Sequence, residues 1–395
     1  MKVVIALASS SGQLSGVPRH AINLARCLLT RSEFSEVHLV GAPWQQDFIK
    51  DAAPRDDARL HLTSAPIGNS AMSRNLWFYA RLPKLAARLN ADIVHLAYPV
   101  PLQRGAFRCP VVVTLHDLYP FDIPQNFGFP KVFFNRAVLR QCLQMVDAIA
   151  CVSQCTLSRL NRMSMPGVRE KAFVICNSVE QRSSAVAAHP IPGWIQPPFV
   201  LCVAQHRRNK NILLALRVFE RLLRTNRIAL ATRILIVGIP GPETPAIQDY
   251  IAASGIARSV FLLNGISDDQ LDWCYRNCSL LLAPSTIEGF GLPVAEAMLA
   301  GCRVVCSDIP AFRELGGSYC HYVSLSPQEV EALADAVHYA LSQPPPGPVA
   351  LPQISAPVIA EQYLDPYRSL LPGKMASTVM RQAPSASTAE GRYSL

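Results

Sequence analysis

The sequence predicts an α/β protein built from two doubly wound, Rossmann-like domains. Three observations carry this. Short unbroken apolar runs alternate with helix-patterned segments along most of the chain, as expected of parallel strands buried on both faces. A stretch rich in Ser, Ala and Pro at 181–198 divides that alternation into two similar halves. With 395 residues, 50% hydrophobic and only 16% charged, the chain can fill two cores and is not a disordered one.

In the first half, 2–8 reads as a strand followed by a small-residue loop at 9–16. Pro18 opens a helix in which Ile22, Ala25 and Leu28 recur at helical spacing. Further strands are expected at 37–40, 91–97, 109–115, 148–152 and 172–176, with helices at 76–89, across Pro83, and at 132–145. After the break, strands are expected at 199–204, 234–237, 260–263, 280–282 and 304–306, and a helix at 329–341. The run Pro344-Pro-Pro-Gly-Pro348 forces extended chain before a last helix at 358–371. The domain boundaries follow: 1–180, a linker at 181–198, 199–357, a final helix at 358–372, and a tail at 373–395 expected to be disordered.

Chemistry concentrates in the second half. From Ala283 to Asp308 the chain reads APSTIEGFGLPVAEAMLAGCRVVCSD: strand end, glycine-rich turn, helix and next strand. Pro293 suits a helix start and Gly301 a helix end. Free N–H groups at a helix start bind anions. The carboxylates Glu288 and Glu296 repel phosphate, so they suit hydroxyls instead. An anion site flanked by two hydroxyl readers fits a nucleotide-sugar. A second cluster, Gln205-His-Arg-Arg-Asn-Lys-Asn211, follows the first strand of this half, where ligands of open α/β sheets sit. Its cations suit a diphosphate, with arginine as a bidentate clamp and lysine as a point charge.

Glu288 and Glu296, with seven residues between them in E-G-F-G-L-P-x-x-E-A-M-x-x-G, resemble the donor-site motif of retaining glycosyltransferases of the GT-B fold, glycosyltransferase family 4. The resemblance implies two domains facing across a cleft, with the donor in the second, the acceptor in the first, and the last helix crossing back to the first. It implies that Glu288 contacts the transferred sugar and that Glu296 holds ribose hydroxyls. Lys210 and Arg208 would hold the diphosphate with the backbone of Gly289, Phe290, Gly291 and Leu292, although Asn209 separates the two cations. Ser15-Gly16-Val-Pro-Arg19 resembles a degraded form of the family's first-domain glycine loop, in which Gly16 lets the backbone approach the reacting centre. His116, in H-D-L, resembles the family histidine near the transferred sugar. The expected reaction needs no metal and no cofactor. It moves a mannose- or glucose-type hexose from a GDP- or UDP-sugar to a glycan or polyprenyl-diphosphate-linked acceptor of cell-surface polysaccharide or lipopolysaccharide. A nucleotide-sugar epimerase and a non-catalytic carbohydrate-binding protein are the rival readings.

The net charge of +9 resides entirely in residues 1–190, which hold 21 Lys and Arg against 12 Asp and Glu; the remainder holds 16 of each. A basic first domain suggests peripheral contact with an anionic membrane face. Nucleic acid is not expected, because no basic run is interleaved with aromatics as in a binding module. The twelve cysteines include CxxxC pairs but no CxxC, so they read as small apolar fillers. Asp268-Asp269 reads as a helix start after Ser267, not as metal ligands. No apolar run reaches the roughly 18 residues that span a bilayer. The apolar core at 3–8 is also shorter than the roughly 7–15 residues of a signal peptide. A cytoplasmic location is expected.

Overall fold

The computed structural model describes residues 1–54, 56–180 and 198–371. The expected linker, apart from Pro198, and the expected tail lie outside the described residues.

The first domain is a seven-stranded parallel sheet ordered β3-β2-β1-β4-β5-β6-β7. Its strands are β1 (Lys2–Ala6), β2 (Glu36–Gly41), β3 (Leu60–Ser64), β4 (Ile93–Leu96), β5 (Val111–Leu115), β6 (Ala148–Cys151) and β7 (Ala172–Val174). The apolar runs in β1 and β5 are buried from end to end because helices cover both faces. On one face lie α1 (Gly16–Leu29) and α2 (Gln46–Ala52). On the other, α3 (Ala71–Leu76) runs through one π-helical turn, Trp77–Arg81, into α4 (Leu82–Arg88). The short α5 (Tyr119–Asp122) leads to α6 (Lys131–Met145), which packs on that same face. α7 (Gln154–Asn161) follows β6.

The second domain is a six-stranded parallel sheet ordered β10-β9-β8-β11-β12-β13. Its strands are β8 (Phe199–Val203), β9 (Arg233–Val237), β10 (Val260–Leu263), β11 (Leu280–Ala283), β12 (Val304–Ser307) and β13 (His321–Val323). Its helices are α8 (Ile212–Arg224), α9 (Thr244–Ala253), α10 (Asp268–Asn277), α11 (Leu292–Ala300), α12 (Pro310–Gly316) and α13 (Glu329–Ser342). α10 opens on a capping box between Ser267 and Gln270, as its sequence suggests.

α14 (Ala356–Leu370) returns to the first domain and lies against α1. Its Ile359, Ala360, Tyr363, Leu364 and Tyr367 complete the core on that side of the first sheet. The Tyr367 hydroxyl meets His95 Nδ1 at 2.6 Å, deep inside the domain.

Two strands escape the periodicity reading. β3 is an edge strand with polar, partly exposed residues, and β13 has only three residues. Neither shows the unbroken apolar run that marks an interior strand. The first helix also starts earlier than Pro18: Ser15 is the extended residue ahead of it and Gly16 is its first helical residue.

Candidate active site

In the second sheet, β8 and β11 are neighbours although α8, β9, α9, β10 and α10 lie between them in sequence, and the chain leaves them in opposite directions. That topological switch opens a crevice at their carboxyl ends. One wall is the turn at 205–211 after β8 and the other is the loop at 284–291 after β11. A small hollow between them is lined by Lys210, Pro284, Ser285, Glu288, Pro293 and neighbouring β8 and β11 residues.

Local chemistry fixes both walls. Gly291 has φ +103° immediately before α11, and an added Cβ would lie 3.0 Å from the Phe312 ring. Only glycine starts the helix there comfortably. Phe290 turns into the core, so the loop offers a ligand its main chain and not that side chain. Asn209 is buried and staples the walls together. Its Nδ2 donates to Ile287 O at 3.2 Å, and its own carbonyl accepts from Thr286 N at 2.8 Å.

Across the hollow, Lys210 Nζ donates to both oxygens of Glu288, at 2.6 and 2.8 Å. Little of either side chain is exposed, 17% and 8%. The Tyr119 hydroxyl of the first domain approaches the same carboxylate at 3.4 Å. Arg208, expected to share the diphosphate with Lys210, has an exposed side chain. The charge of Arg207 reaches Asp117 and Tyr119 across the cleft. Burial raises the Asp117 pKa, and the Tyr119 N–H with the charges of Arg207, Arg159 and Lys210 opposes that rise.

Glu296, on α11, accepts from the Tyr275 hydroxyl at 2.7 Å. The Arg19 guanidinium lies near enough for its charge to act on Tyr275 and for Glu296 to act on it. Arg19 itself crosses from the first domain to Asp268, at 2.5 and 3.2 Å. Asp268 therefore serves an interdomain ion pair at the start of α10.

His116 follows β5 and its Nε2 meets the Ala97 carbonyl at 2.8 Å. The ring stands edge-on to His20, 4.7 Å between centroids. Burial lowers the His116 pKa to about 4, so the ring is neutral near pH 7 and Nε2 is the donor. Its carbonyl faces the loop at 284–291: an added Cβ on Gly289 would sit 1.8 Å from it. Close backbone approach thus falls at Gly289. An added Cβ on Gly16 meets no protein atom within 4 Å. The Gly289 carbonyl accepts from Ser153 Oγ at 2.5 Å and Thr156 Oγ1 at 3.2 Å. Beside it, the Glu314 carboxylate accepts the N–H groups of Gln154 and Cys155, at 2.8 and 3.1 Å, at the positive end of α7. These contacts hold the cleft shut.

The structure brings Glu288, Lys210 and the 289–292 backbone together, with His116 behind Gly289. Glu296 lies along the same helix, Gly16 opens the helix whose Arg19 reaches Asp268, and the Arg208 side chain is exposed. Sequence reasoning missed Tyr119, Asn209, Arg207 and Tyr275 as site components. Arg207 stood in the basic cluster and was discernible there. Tyr119 and Tyr275 carry no local signal. Among the described residues, the only cluster of three potential metal ligands is Glu36, His38 and His61 on β2 and β3, and Glu36 there already pairs with Lys2.

Residues 14–182 match the family model described as Glycosyltransferase Family 4, and residues 190–350 match Glycosyl transferases group 1. The chain belongs to this glycosyltransferase family. This glycosyltransferase is 23% identical over 357 residues to O-antigen chain mannosyltransferase B of Escherichia coli, covering 85% of this chain and 89% of the relative. It is 25% identical to O-antigen chain mannosyltransferase RfbU of Salmonella typhimurium, over 61% of this chain and 65% of the relative. Among solved structures it resembles WaaG, a glycosyltransferase involved in lipopolysaccharide biosynthesis, with a TM-score of 0.63 and 17% identity over 94% of this chain and 100% of that one. Anabaena Alr3699/HepE in complex with UDP-glucose gives a TM-score of 0.63 at 16% identity, over 94% and 95%. These similarities establish the GT-B fold.

Proposed function

We propose that this glycosyltransferase retains anomeric configuration and moves a hexose, mannose before glucose, from a GDP- or UDP-linked donor without a metal. The acceptor is a glycan or a polyprenyl-diphosphate-linked oligosaccharide of cell-surface polysaccharide or lipopolysaccharide, met at an anionic membrane face. The observation that carries the reading is the Lys210–Glu288 pair at the N-terminus of α11. An incoming diphosphate offers Lys210 more charge than Glu288 does. The swap leaves the lysine on the leaving group and turns the carboxylate toward the sugar. Lys210, Arg207 and the N–H groups at the start of α11 supply the positive charge that a departing nucleotide diphosphate needs. Glu296, oriented by Tyr275, is placed for ribose hydroxyls. Neutral His116 and the Gly289 backbone border the sugar's position. The names of the two bacterial mannosyltransferases favour mannose, and the basic first domain favours an anionic acceptor.

The test incubates the protein with GDP-mannose, UDP-glucose and related donors, with and without chelator and a polyprenyl-diphosphate-linked acceptor. Acceptor-dependent release of nucleotide diphosphate, unchanged by chelator and with a product of the donor's anomeric configuration, is expected. Conversion of the donor to its epimeric nucleotide-sugar, without acceptor and without net release of nucleotide diphosphate, would point to an epimerase. No turnover of any donor, with nucleotide-sugar binding intact, would point to a binding protein.

A further inference from the structure

The edge of the first sheet carries ligating side chains that the transfer reaction does not use. Glu36 and His38 are alternate residues of β2, so they point to one face of the sheet. His61 stands in register with His38 on the edge strand β3 and shares that face. One oxygen or ring nitrogen of each residue lies within 4.8 Å of the other two. His38 Nε2 is 3.1 Å from Glu36 Oε2. A tetrahedral ion with bonds of about 2.0–2.1 Å holds neighbouring ligand atoms about 3.3 Å apart, so this pair already stands at ligand spacing. The His38 side chain is only 8% exposed, which fixes its ring. The His61 ring stacks on it, 4.7 Å between centroids, and is exposed. It makes no hydrogen bond among the described residues, so turning toward the other two ligands breaks none. Lys2, from β1, holds Glu36 Oε1 at 2.7 Å and leaves Oε2 to the histidines.

Two imidazoles and one carboxylate oxygen suit zinc and its late first-row neighbours. Calcium and magnesium demand shells of oxygen. We propose that Glu36, His38 and His61 bind a zinc ion, with water as the fourth ligand, and that the ion ties the edge strand β3 to β2. β3 gains most from such a tie. Its residues are all half-exposed or exposed, and β2 is its only strand partner. Ladder hydrogen bonds to one neighbour hold it with little apolar burial, and a metal with ligands on both strands adds a link that water does not compete away. Glu36 opens β2, whereas the cleft lies beyond the carboxyl ends of the strands, where His116 follows β5. The ion therefore serves the fold of the sheet edge and stands apart from sugar transfer.

The test titrates zinc into the full chain, free of any affinity tag, by calorimetry, beside the variants His61→Ala, Glu36→Gln and Lys2→Gln. The twelve free cysteines also offer zinc ligands, so differences between variants decide the matter and total uptake does not. The wild type should show a tight binding phase that His61→Ala and Glu36→Gln each weaken by at least about tenfold. His61 is exposed, so His61→Ala should keep the wild-type melting temperature in the absence of zinc. Lys2→Gln frees the second oxygen of Glu36 and should tighten the same phase, which a Glu36–His38 hydrogen bond of purely structural value would not do. Zinc should also slow amide hydrogen exchange at 60–64 in the wild type and leave it unchanged in His61→Ala. Three outcomes overturn the proposal: no tight phase in the wild type, equal zinc binding by wild type and His61→Ala, or zinc binding that leaves exchange at 60–64 as it was.

Discussion

A carboxylate that accepts from a lysine with both oxygens has fewer lone pairs free for a sugar, and that competition couples residues 210 and 288. Glu288→Gln weakens the grip and leaves Lys210 open to phosphate. Transfer should fall by roughly 10²–10³ in kcat, while affinity for nucleotide diphosphate holds or tightens; calorimetry with single-turnover assays would show both. Lys210→Ala should weaken that affinity by about 1.5–3 kcal/mol. Because it also strands a nearly buried carboxylate, it should lower Tm, and the double variant Lys210→Ala, Glu288→Gln should recover part of that loss. Equal melting temperatures for the single and double variants would contradict the pairing. Arg207→Ala should reduce turnover more than Arg208→Ala, since Arg207 carries its charge to Asp117 and Tyr119 while the Arg208 side chain is exposed. The kinds of residue were legible in the chain: the two-glutamate string and the basic turn named Glu288, Glu296 and Lys210. Their pairing was not legible, because strands β8 and β11 become neighbours only when the sheet forms. Which arginine faces inward depends on the twist of a single short turn, Arg208–Lys210.

At the level of elements, the interior strands announced themselves through unbroken Val, Ile and Leu runs. β3 and β13, half-exposed or three residues long, had no such run to show. Loop-to-loop contacts are still less visible in one dimension. Nothing around Gly289 in sequence reports that the His116 carbonyl lies where its Cβ would be. Gly289→Ala should therefore leave the second domain folded but keep the two domains from closing. Turnover should fall by at least about tenfold, with a larger radius of gyration in solution scattering. An alanine variant that is both compact and active would show that the contact is dispensable. The tie between Glu314 and the start of α7 belongs to the same closed arrangement. Glu314→Gln keeps the acceptor oxygen but loses the charge, and should have a smaller effect than Gly289→Ala.

Over the whole molecule, the first domain is held by a histidine cluster that must remain uncharged. His95 and His20 both meet the Thr114 hydroxyl, at 2.7 and 2.9 Å, and His95 also meets Tyr367 from α14. Burial lowers the His95 pKa from 6.5 to about 3 and that of His116 to about 4. Unfolded, the same rings take up protons below about pH 6.5. The stability they contribute is thus complete above pH 6.5 and is lost as the pH falls toward 4, at up to about 1.4 kcal/mol per pH unit for each ring. Tm should drop by several degrees between pH 7 and pH 5, and His95→Gln, though less stable at pH 7, should show a shallower slope; parallel slopes would place the acid sensitivity elsewhere. A last helix was expected after the proline run and its return was implied by the family resemblance, but its buried bond to His95 was not legible. That helix also imposes an order on biosynthesis. The first domain emerges from the ribosome first and is finished last, because α14 follows the whole second domain. At ordinary elongation rates the face awaiting Tyr363 and Tyr367 stays uncovered for on the order of 10–40 s. A nascent chain in that interval presents a strip of bare core, the kind of surface that chaperones retain and that neighbouring polysomes stick to. A chain stopped after residue 350 would freeze that moment, leaving the second domain protease-resistant and the first one aggregation-prone.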